Sequence, residues 1–237
     1  MKRVLVTVLV LGVMVSGAFA ASNEVNSVNV VGFNRVSLDS NNWILVSAPF
    51  IQMGTSGIQD VFADQMVSGS SQGNADNVIF WDGASQSYII NWKHDAGWVE
   101  GAKLSTQEVF ATRCFWVKSN TSSNQNVTME GEVISSAVVT QTLHSGFSMV
   151  CYPFNASASV TNTALDALAV AGSSQGNADN IYKWDPVNQQ YVIYWKHDMG
   201  WVQGAKLEDP TFDMGEGFWY VRRTNSVDWV ETIPYTL

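Results

Sequence analysis

A histidine flanked by aromatic, basic and acidic residues occurs twice in this chain. Residues 92–104 read WKHDAGWVEGAKL, and residues 195–207 read WKHDMGWVQGAKL. An imidazole beside a carboxylate is half of an acid–base dyad, which makes His94 and Asp95 candidates for proton transfer. Neighbouring side chains on a strand point to opposite faces, however, so the two groups need not meet. The segments GSSQG at residues 69–73 and 172–176 match G-x-S-x-G, but a strand pattern and not a helix follows each, so no Ser or Cys sits in a nucleophile-elbow context, and we predict that the chain is not an enzyme.

The tryptophans of the same block suggest a different chemistry, which is recognition of a glycan or a peptide. A sugar can pack its C–H face on an indole ring while nearby polar groups bond to its hydroxyls. Large aromatic side chains more often fill a core, so both interpretations stay open. The candidate binding residues are Trp92, His94, Asp95, Trp98, Trp195, His197, Asp198 and Trp201.

A second repeated block, GSSQGNADN, occupies residues 69–77 and again residues 172–180. Its Asn and Asp oxygens are ligands that calcium accepts. The chain contains no H-E-x-x-H motif and no EF-hand spacing, so we predict no metal and no cofactor. The alternative is that its Asn and Gly residues supply the backbone conformations of a tight loop.

Both blocks recur at an offset of 103 residues, from 69 to 172 and from 92 to 195. A period of that length is the size of a domain, whereas stacked solenoid repeats have periods of about 20–50 residues. We therefore predict two tandem copies of one domain, with copy one at residues 21–130 and copy two at residues 131–237.

The first twenty residues have the pattern of a secretory signal peptide. Lys2 and Arg3 form a basic start, residues 4–15 are apolar, and Ala18-Phe19-Ala20 is a signal-peptidase site. The apolar run is shorter than the roughly 20 residues that a membrane span needs. The sequence thus predicts residues 1–20 as a cleaved signal, a secreted or cell-surface protein, and no membrane insertion after cleavage.

The chain is acidic and contains few charged residues. The formal net charge is -9, and charged residues make up 14% of the chain, against about 25% in a typical soluble protein. No basic stripe is present to neutralise phosphates, so nucleic acid is excluded as a partner.

The two cysteines, Cys114 and Cys151, lie in different copies. In an oxidising compartment they could form one disulfide between the domains. The alternative is two separate buried thiols, each behaving as a small apolar side chain.

Most segments have the pattern of strands. Residues 77–81 and 88–92 flank a polar turn and predict a hairpin. Residues 56–66 place apolar side chains on one helical face, with Ser56 and Gln59 as a possible capping box, and residues 163–170 are the weaker counterpart. The predicted fold is all-β and mainly antiparallel, with two tandem homologous β-sandwich or β-barrel domains, each carrying one short α-helix.

Several motifs resemble a module of bacterial exported proteins. The module opens with a "GWNLIS…P" strand, continues with a "WD/WN…Y" hairpin and closes with "GxGYWV". Here these motifs correspond to Asn42-Trp43-Ile44-Leu45-Val46-Ser47, to Trp81-Asp82, and to Gly215-Glu216-Gly217-Phe218-Trp219-Tyr220-Val221. Copy one has Thr112-Arg113-Cys114 in place of the glycines. With "SVNVVGF" at residues 27–33, the chain resembles uncharacterised secreted tandem β-domain proteins of the Verrucomicrobia and Kiritimatiellae type. The resemblance implies an extracellular building block and no catalytic residues.

The expected function is therefore a structural or cell-surface assembly protein that self-associates into filaments or a surface layer. Two like domains present like surfaces, and a contact that does not close on itself generates a filament. The candidate assembly strand is the segment near the mature N-terminus that carries Val25, Val28, Val30 and Val31. This strand either pairs within its own domain or joins a neighbouring molecule. The alternative function is a non-catalytic carbohydrate-binding protein with one Trp-rich site per domain.

Overall fold

A computed structural model describes residues 30–120 and 124–235 of the chain. The fold is mostly antiparallel β, as predicted, with two short α-helices among the described residues. The predicted signal peptide, Val25 and Val28 lie outside the described residues. No described helix combines the length and the apolar character needed to cross a membrane.

Repeat one contains nine described strands and one α-helix. They are β1 (Val31–Leu38), β2 (Trp43–Ser47), β3 (Phe50–Ile51), α1 (Ile58–Phe62), β4 (Asn77–Asp82), β5 (Ser87–His94), β6 (Gly97–Glu100), β7 (Lys103–Leu104), β8 (Cys114–Lys118) and β9 (Gln125–Val133).

Repeat two contains ten strands and one α-helix in its described part. They are β10 (Val138–Leu143), β11 (Gly146–Val150), β12 (Ala158–Ser159), α2 (Ala164–Leu168), β13 (Asn180–Asp185), β14 (Gln190–His197), β15 (Gly200–Gln203), β16 (Lys206–Leu207), β17 (Thr211–Phe212), β18 (Phe218–Arg222) and β19 (Val227–Thr232).

Each repeat is built around a six-stranded antiparallel sheet, and the two sheets have the same strand order. The order is β2-β8-β4-β5-β6-β7 in repeat one and β11-β18-β13-β14-β15-β16 in repeat two. Trp81 pairs with Tyr88, and Trp184 pairs with Tyr191, so equivalent residues hold equivalent places in the two hairpins. His94 and His197 likewise each end the second strand of the hairpin.

One small sheet completes repeat one, and two small sheets complete the described part of repeat two, where β12 also pairs with β17. In repeat one, β9 lies between β1 and β3, and β9 continues to Val133, past the boundary at residue 130 that the sequence suggested. In repeat two, β10 pairs with β19. One apolar core fills repeat one and a second fills repeat two, and a third cluster of buried aromatic and aliphatic residues lies between the two large sheets.

The two helices occur where the apolar spacing predicted them, but each is a little over one turn long. The predicted capping box at Ser56 is wrong, because the helix begins after Gly57 and no side chain caps it. Instead, the Gln59 amide donates to the Trp98 carbonyl oxygen (2.9 Å) and accepts from the Trp98 N–H (2.9 Å). These long-range hydrogen bonds compete successfully with a local cap, because they satisfy backbone groups of a strand that packs against the helix.

Candidate functional site

The WKHD block forms the outer part of each six-stranded sheet, where β5 turns into β6 and β14 turns into β15. His94 and Asp95 do not contact each other through their side chains. The Asp95 carboxylate accepts from the Ser68 hydroxyl (2.7 Å), while His94 Nδ1 accepts from the Ala96 N–H (3.0 Å). The geometry therefore gives no support to the dyad that the sequence raised as a candidate.

The same hydrogen bond defines the chemistry that His94 offers. Because Nδ1 accepts from a backbone N–H, a neutral His94 ring carries its proton on Nε2, which is then a donor. The Trp92 ring lies edge-to-face against the His94 ring, with centroids 5.2 Å apart. Repeat two reproduces this arrangement, since His197 Nδ1 accepts from Met199 N–H (3.1 Å) and the Trp195 and His197 centroids are 5.3 Å apart.

Trp92 and His94 line an open cleft of about 370 Å³ at the sheet edge. The exposed side chain of Leu104 forms another wall of this cleft. The cleft thus combines an accessible indole, an imidazole donor and an apolar side chain. Trp195, His197 and Leu207 are the corresponding residues of repeat two, where Leu207 is also exposed.

Trp98 and Trp201 are not part of this surface, although the sequence made them binding candidates. Trp98 is 0% exposed and Trp201 is 2% exposed, because each side chain points into the core of its repeat. The Trp98 ring packs against Phe62 of α1, with centroids 5.7 Å apart. A ring without exposed area cannot stack on a ligand, so these two residues are core residues.

The two repeated sequence blocks meet in space. Gly69 forms a parallel bridge with His94, and Gly172 forms the same bridge with His197. Within the loop, Asn74 Oδ1 accepts from the Ser71 N–H (2.9 Å) and from the Ser71 hydroxyl (3.0 Å). The loop sequence is therefore explained by its own hydrogen bonds, which fix a 3₁₀ turn against the outer hairpin.

A buried carboxylate anchors each loop from below. Asp76 is fully buried and accepts from the N–H groups of Val67 (2.7 Å) and Asn120 (2.9 Å) and from the Gln125 amide (3.0 Å). The equivalent Asp179 accepts from the Tyr220 hydroxyl (2.7 Å) and lies 3.3 Å from an Arg222 nitrogen. These donors occupy the oxygens that calcium would need, and no group of potential metal ligands was found among the described residues.

The two large sheets face each other through reciprocal contacts. The Gln86 amide donates to the Phe147 carbonyl oxygen (2.8 Å) and accepts from the Phe147 N–H (2.8 Å). The equivalent Gln189 donates to the Trp43 carbonyl oxygen (3.0 Å) and accepts from the Trp43 N–H (2.9 Å). Such reciprocity is the mark of an isologous interface. The repeats are thus related like the subunits of a twofold dimer, within one chain.

The aromatic rings at this interface repeat the same symmetry. Trp81 packs edge-to-face on Trp219 at 5.1 Å, and Trp184 packs edge-to-face on Trp116 at 5.0 Å. The indole N–H groups also bond across the interface, from Trp81 to the Phe147 carbonyl oxygen and from Trp184 to the Trp43 carbonyl oxygen. These four tryptophans therefore pack on each other inside the molecule, while Tyr88, Tyr191 and Phe147 beside them are 54%, 41% and 43% exposed. Sequence reasoning missed this interface, although the matched Trp-Asp hairpins were visible.

Strand β1 contains part of the candidate assembly segment. The Val133 N–H donates to the Val30 carbonyl oxygen (2.7 Å), and Val31 pairs with Glu132. These two residues of the segment therefore pair with β9 of their own repeat, which is the intramolecular alternative, and strand donation to a neighbour stays a prediction. The opposite side of β1 has no strand partner within the described residues.

Cys114 and Cys151 are both buried thiols at the junction of the repeats.

Comparisons of the chain with protein-family models, curated proteins and solved structures found no match.

Proposed function

We propose that the protein is an exported structural component that self-associates through the free edges of β1 and β10. The observation that carries this proposal is that β1 and β10 are equivalent strands of the two repeats, among the several described strands that have a neighbour on one side alone. Among the described strands, β1 hydrogen-bonds to β9 alone and β10 hydrogen-bonds to β19 alone. Because the repeats are related by a pseudo-twofold axis, the molecule has two equivalent attachment edges, which is what growth of a chain requires.

The register identifies the backbone groups that face outward. In antiparallel pairs, hydrogen-bonded and non-hydrogen-bonded positions alternate. The bond between Val30 and Val133 therefore directs the N–H of Phe33 away from β9. By the same argument, the bond between Ile233 and Ala137 directs the N–H of Thr140 away from β19.

The side chains on these strands favour association with a second copy of the chain. Val31 is 60% exposed, Phe33 is 71% exposed and Val138 is 50% exposed. Neither strand contains proline, and β10 contains no charged residue, whereas β1 contains one, Arg35. Edge strands of monomeric proteins usually carry charged residues or proline, because these residues prevent edge-to-edge pairing. The net charge of -9 repels one copy from another, so pairing of these edges acts against this repulsion.

Proline substitutions at the outward positions test the proposal on the mature chain, residues 21–237. Phe33→Pro and Thr140→Pro each remove one outward N–H and leave the hydrogen bonds to β9 and β19 intact. Phe33→Val and Thr140→Val are the matched controls, since they keep the N–H. Sedimentation velocity and negative-stain microscopy should show polymers for wild type and both controls, and monomers for the double proline variant.

The single proline variants reveal which edges meet. Dimers would mean that β1 pairs with β1 and β10 with β10, whereas monomers would mean that β1 pairs with β10. A wild-type chain that stays monomeric at every concentration, or a folded double proline variant that still polymerises, would overturn the proposal. Circular dichroism establishes that each variant is folded.

A second candidate function is binding of a carbohydrate in the Trp92 cleft and its repeat-two counterpart. It is favoured by the accessible indole beside an imidazole donor, since the negative ring face attracts the C–H face of a sugar. A glycan array followed by calorimetry tests it. Trp92→Ala and Trp195→Ala should each halve the binding stoichiometry, and a bound glycan that is unaffected by the double variant would refute this site.

A further inference from the structure

Two cysteines from different repeats meet at the junction of the repeats. Cys114 is the first residue of β8, and Cys151 directly follows β11. Both side chains are buried. The Cys114 thiol lies 3.8 Å from the Thr112 carbonyl oxygen, and the Cys151 thiol lies 3.4 Å from the same oxygen. The two sulfur atoms therefore lie no farther apart than the sum of these two distances, and the Cys114 and Cys151 side chains share a hydrogen bond.

Only one of the two equivalent junctions carries this pair. The interface is pseudo-symmetric, and at the other junction Ser47 and Gly217 stand where Cys151 and Cys114 stand here. That second junction is held by backbone hydrogen bonds instead, from Ser47 N–H to Gly215 O (2.9 Å) and from Gly217 N–H to Leu45 O (3.4 Å). The thiols therefore occupy a position that the fold itself does not require to be cysteine.

We propose that Cys114 and Cys151 form a disulfide that covalently joins the two repeats. The reaction is thiol–disulfide exchange with a low-molecular-weight disulfide or a disulfide-exchange catalyst. One cysteine thiolate attacks a sulfur of the oxidant and releases one thiol. The second cysteine then attacks the mixed disulfide and releases the other thiol. Two protons and two electrons leave the cysteines, and the oxidant disulfide is reduced to two thiols.

The surroundings of the pair determine when this reaction occurs. Burial raises the pKa of the Cys114 thiol, and the neighbouring Cys151 thiol raises it further. The reactive thiolate is therefore disfavoured once the junction has closed. The disulfide forms while the repeats are docking, and in the folded protein both the thiol pair and the disulfide react slowly. The predicted signal peptide implies export to an oxidising compartment. That compartment supplies the oxidant while the repeats are docking.

The bond would act on the whole molecule, because it links a strand of repeat one to a strand of repeat two. It closes a loop that contains β9, β10 and β11, so it restricts the unfolded chain. It also prevents the two aromatic faces from separating. This role is independent of edge-strand assembly, since Cys114 and Cys151 lie inside the molecule.

Oxidative refolding of the mature chain tests the inference. The protein is diluted from denaturant into oxidised and reduced glutathione, and is then denatured and alkylated with iodoacetamide. The intact mass of wild type should fall by two hydrogen atoms, and neither cysteine should be alkylated. Reduction should lower the melting temperature by about 5–10 °C, which is typical of a cross-link in a chain of this size.

The variants Cys114→Ala and Cys151→Ala supply the control, because they keep a small apolar side chain in each place. Their melting temperatures should not change when reductant is added. Folded wild type with two alkylated cysteines after oxidative refolding would overturn the inference. So would a mass increase by one or two glutathione molecules, or disulfide-linked dimers on a non-reducing gel. If the alanine variants do not fold, the reduced and oxidised wild-type forms still decide the question.

Discussion

Equivalent residues of the two repeats can have different hydrogen-bond partners, as one pair of tryptophans shows. Trp98 and Trp201 occupy equivalent places in β6 and β15, and both are buried. The Trp201 indole N–H donates to the Asp166 carboxylate (2.7 Å), whereas the Trp98 indole N–H has no partner. The difference arises from the positions of the helices. Residues 63–68 connect α1 to the GSSQGNADN loop of repeat one, whereas a shorter segment, residues 169–171, connects α2 to the GSSQGNADN loop of repeat two. The two helices are therefore placed differently over equivalent rings.

Substitution of each tryptophan by phenylalanine should separate packing from hydrogen bonding. Trp98→Phe and Trp201→Phe remove a similar volume, but only the second breaks a hydrogen bond to a charged group. We expect Trp201→Phe to lower the free energy of unfolding by about 2 kcal/mol more than Trp98→Phe does. Urea denaturation followed by tryptophan fluorescence measures both values. Equal losses would show that the bond to Asp166 contributes nothing.

At the scale of elements, the local patterns predicted the hairpins and missed the contacts between distant segments. The β4–β5 and β13–β14 hairpins follow from polar turns between apolar runs, which act over a few residues. Both helices were placed correctly, but their ends were not, because Gln59 bonds to Trp98 rather than to a cap. The sequence also allowed Trp92 to be predicted as a surface residue of a binding cleft. It did not allow the burial of Trp98 to be predicted, since the packing of neighbouring elements on the sheet determines which face of a strand is buried.

The turn before β8 shows how one repeat departs from the other. Gly215 has a φ of +76°, and Thr112 adopts nearly the same conformation, with a φ of +71°. A β-branched residue is strained in this left-handed region, and glycine is not. The strain persists because Thr112 N–H donates to the Ala48 carbonyl oxygen (2.8 Å), which links β8 to the β2–β3 connection.

Thr112→Gly should therefore stabilise the protein by about 1 kcal/mol, since it relieves the strain while the backbone hydrogen bonds stay. Chemical denaturation of the full mature chain measures the change. Replacement of the equivalent glycine, Gly215, by alanine is the matched control. Gly215→Ala should destabilise, because its φ is unfavourable and its new Cβ would lie 2.3 Å from the Asn34 amide nitrogen. A loss of stability in Thr112→Gly would contradict the argument.

At the scale of the whole molecule, the two repeats are related like the two subunits of a homodimer, although they belong to one chain. Its aromatic interface is isologous, so each repeat carries both halves of a self-complementary surface. Trp184 meets Trp116 just as Trp81 meets Trp219, and the amides of Gln86 and Gln189 make matching backbone contacts. Duplication of a domain that paired with itself would produce this arrangement. Its consequence is that the central tryptophans are covered between the repeats, whereas the outer edges, the Trp92 cleft and the exposed rings of Tyr88 and Tyr191 remain for contact with other molecules.

Repeat two in isolation should consequently form a homodimer through the same face. We expect residues 134–237, cut after the last residue of β9, to sediment as a dimer in which Trp184 of each subunit packs on Trp219 of the other. Trp184→Ala should shift this dimer to monomer, because it removes the central ring and its N–H bond to the facing carbonyl. Exposed Val187 lies in the neighbouring turn, and Val187→Ala should leave the dimer intact. If the isolated repeat does not fold, residues 21–133 and 134–237 should still co-purify when they are expressed together. A folded monomer, or two halves that do not associate, would show that the symmetric contacts follow from the covalent link and do not drive the pairing.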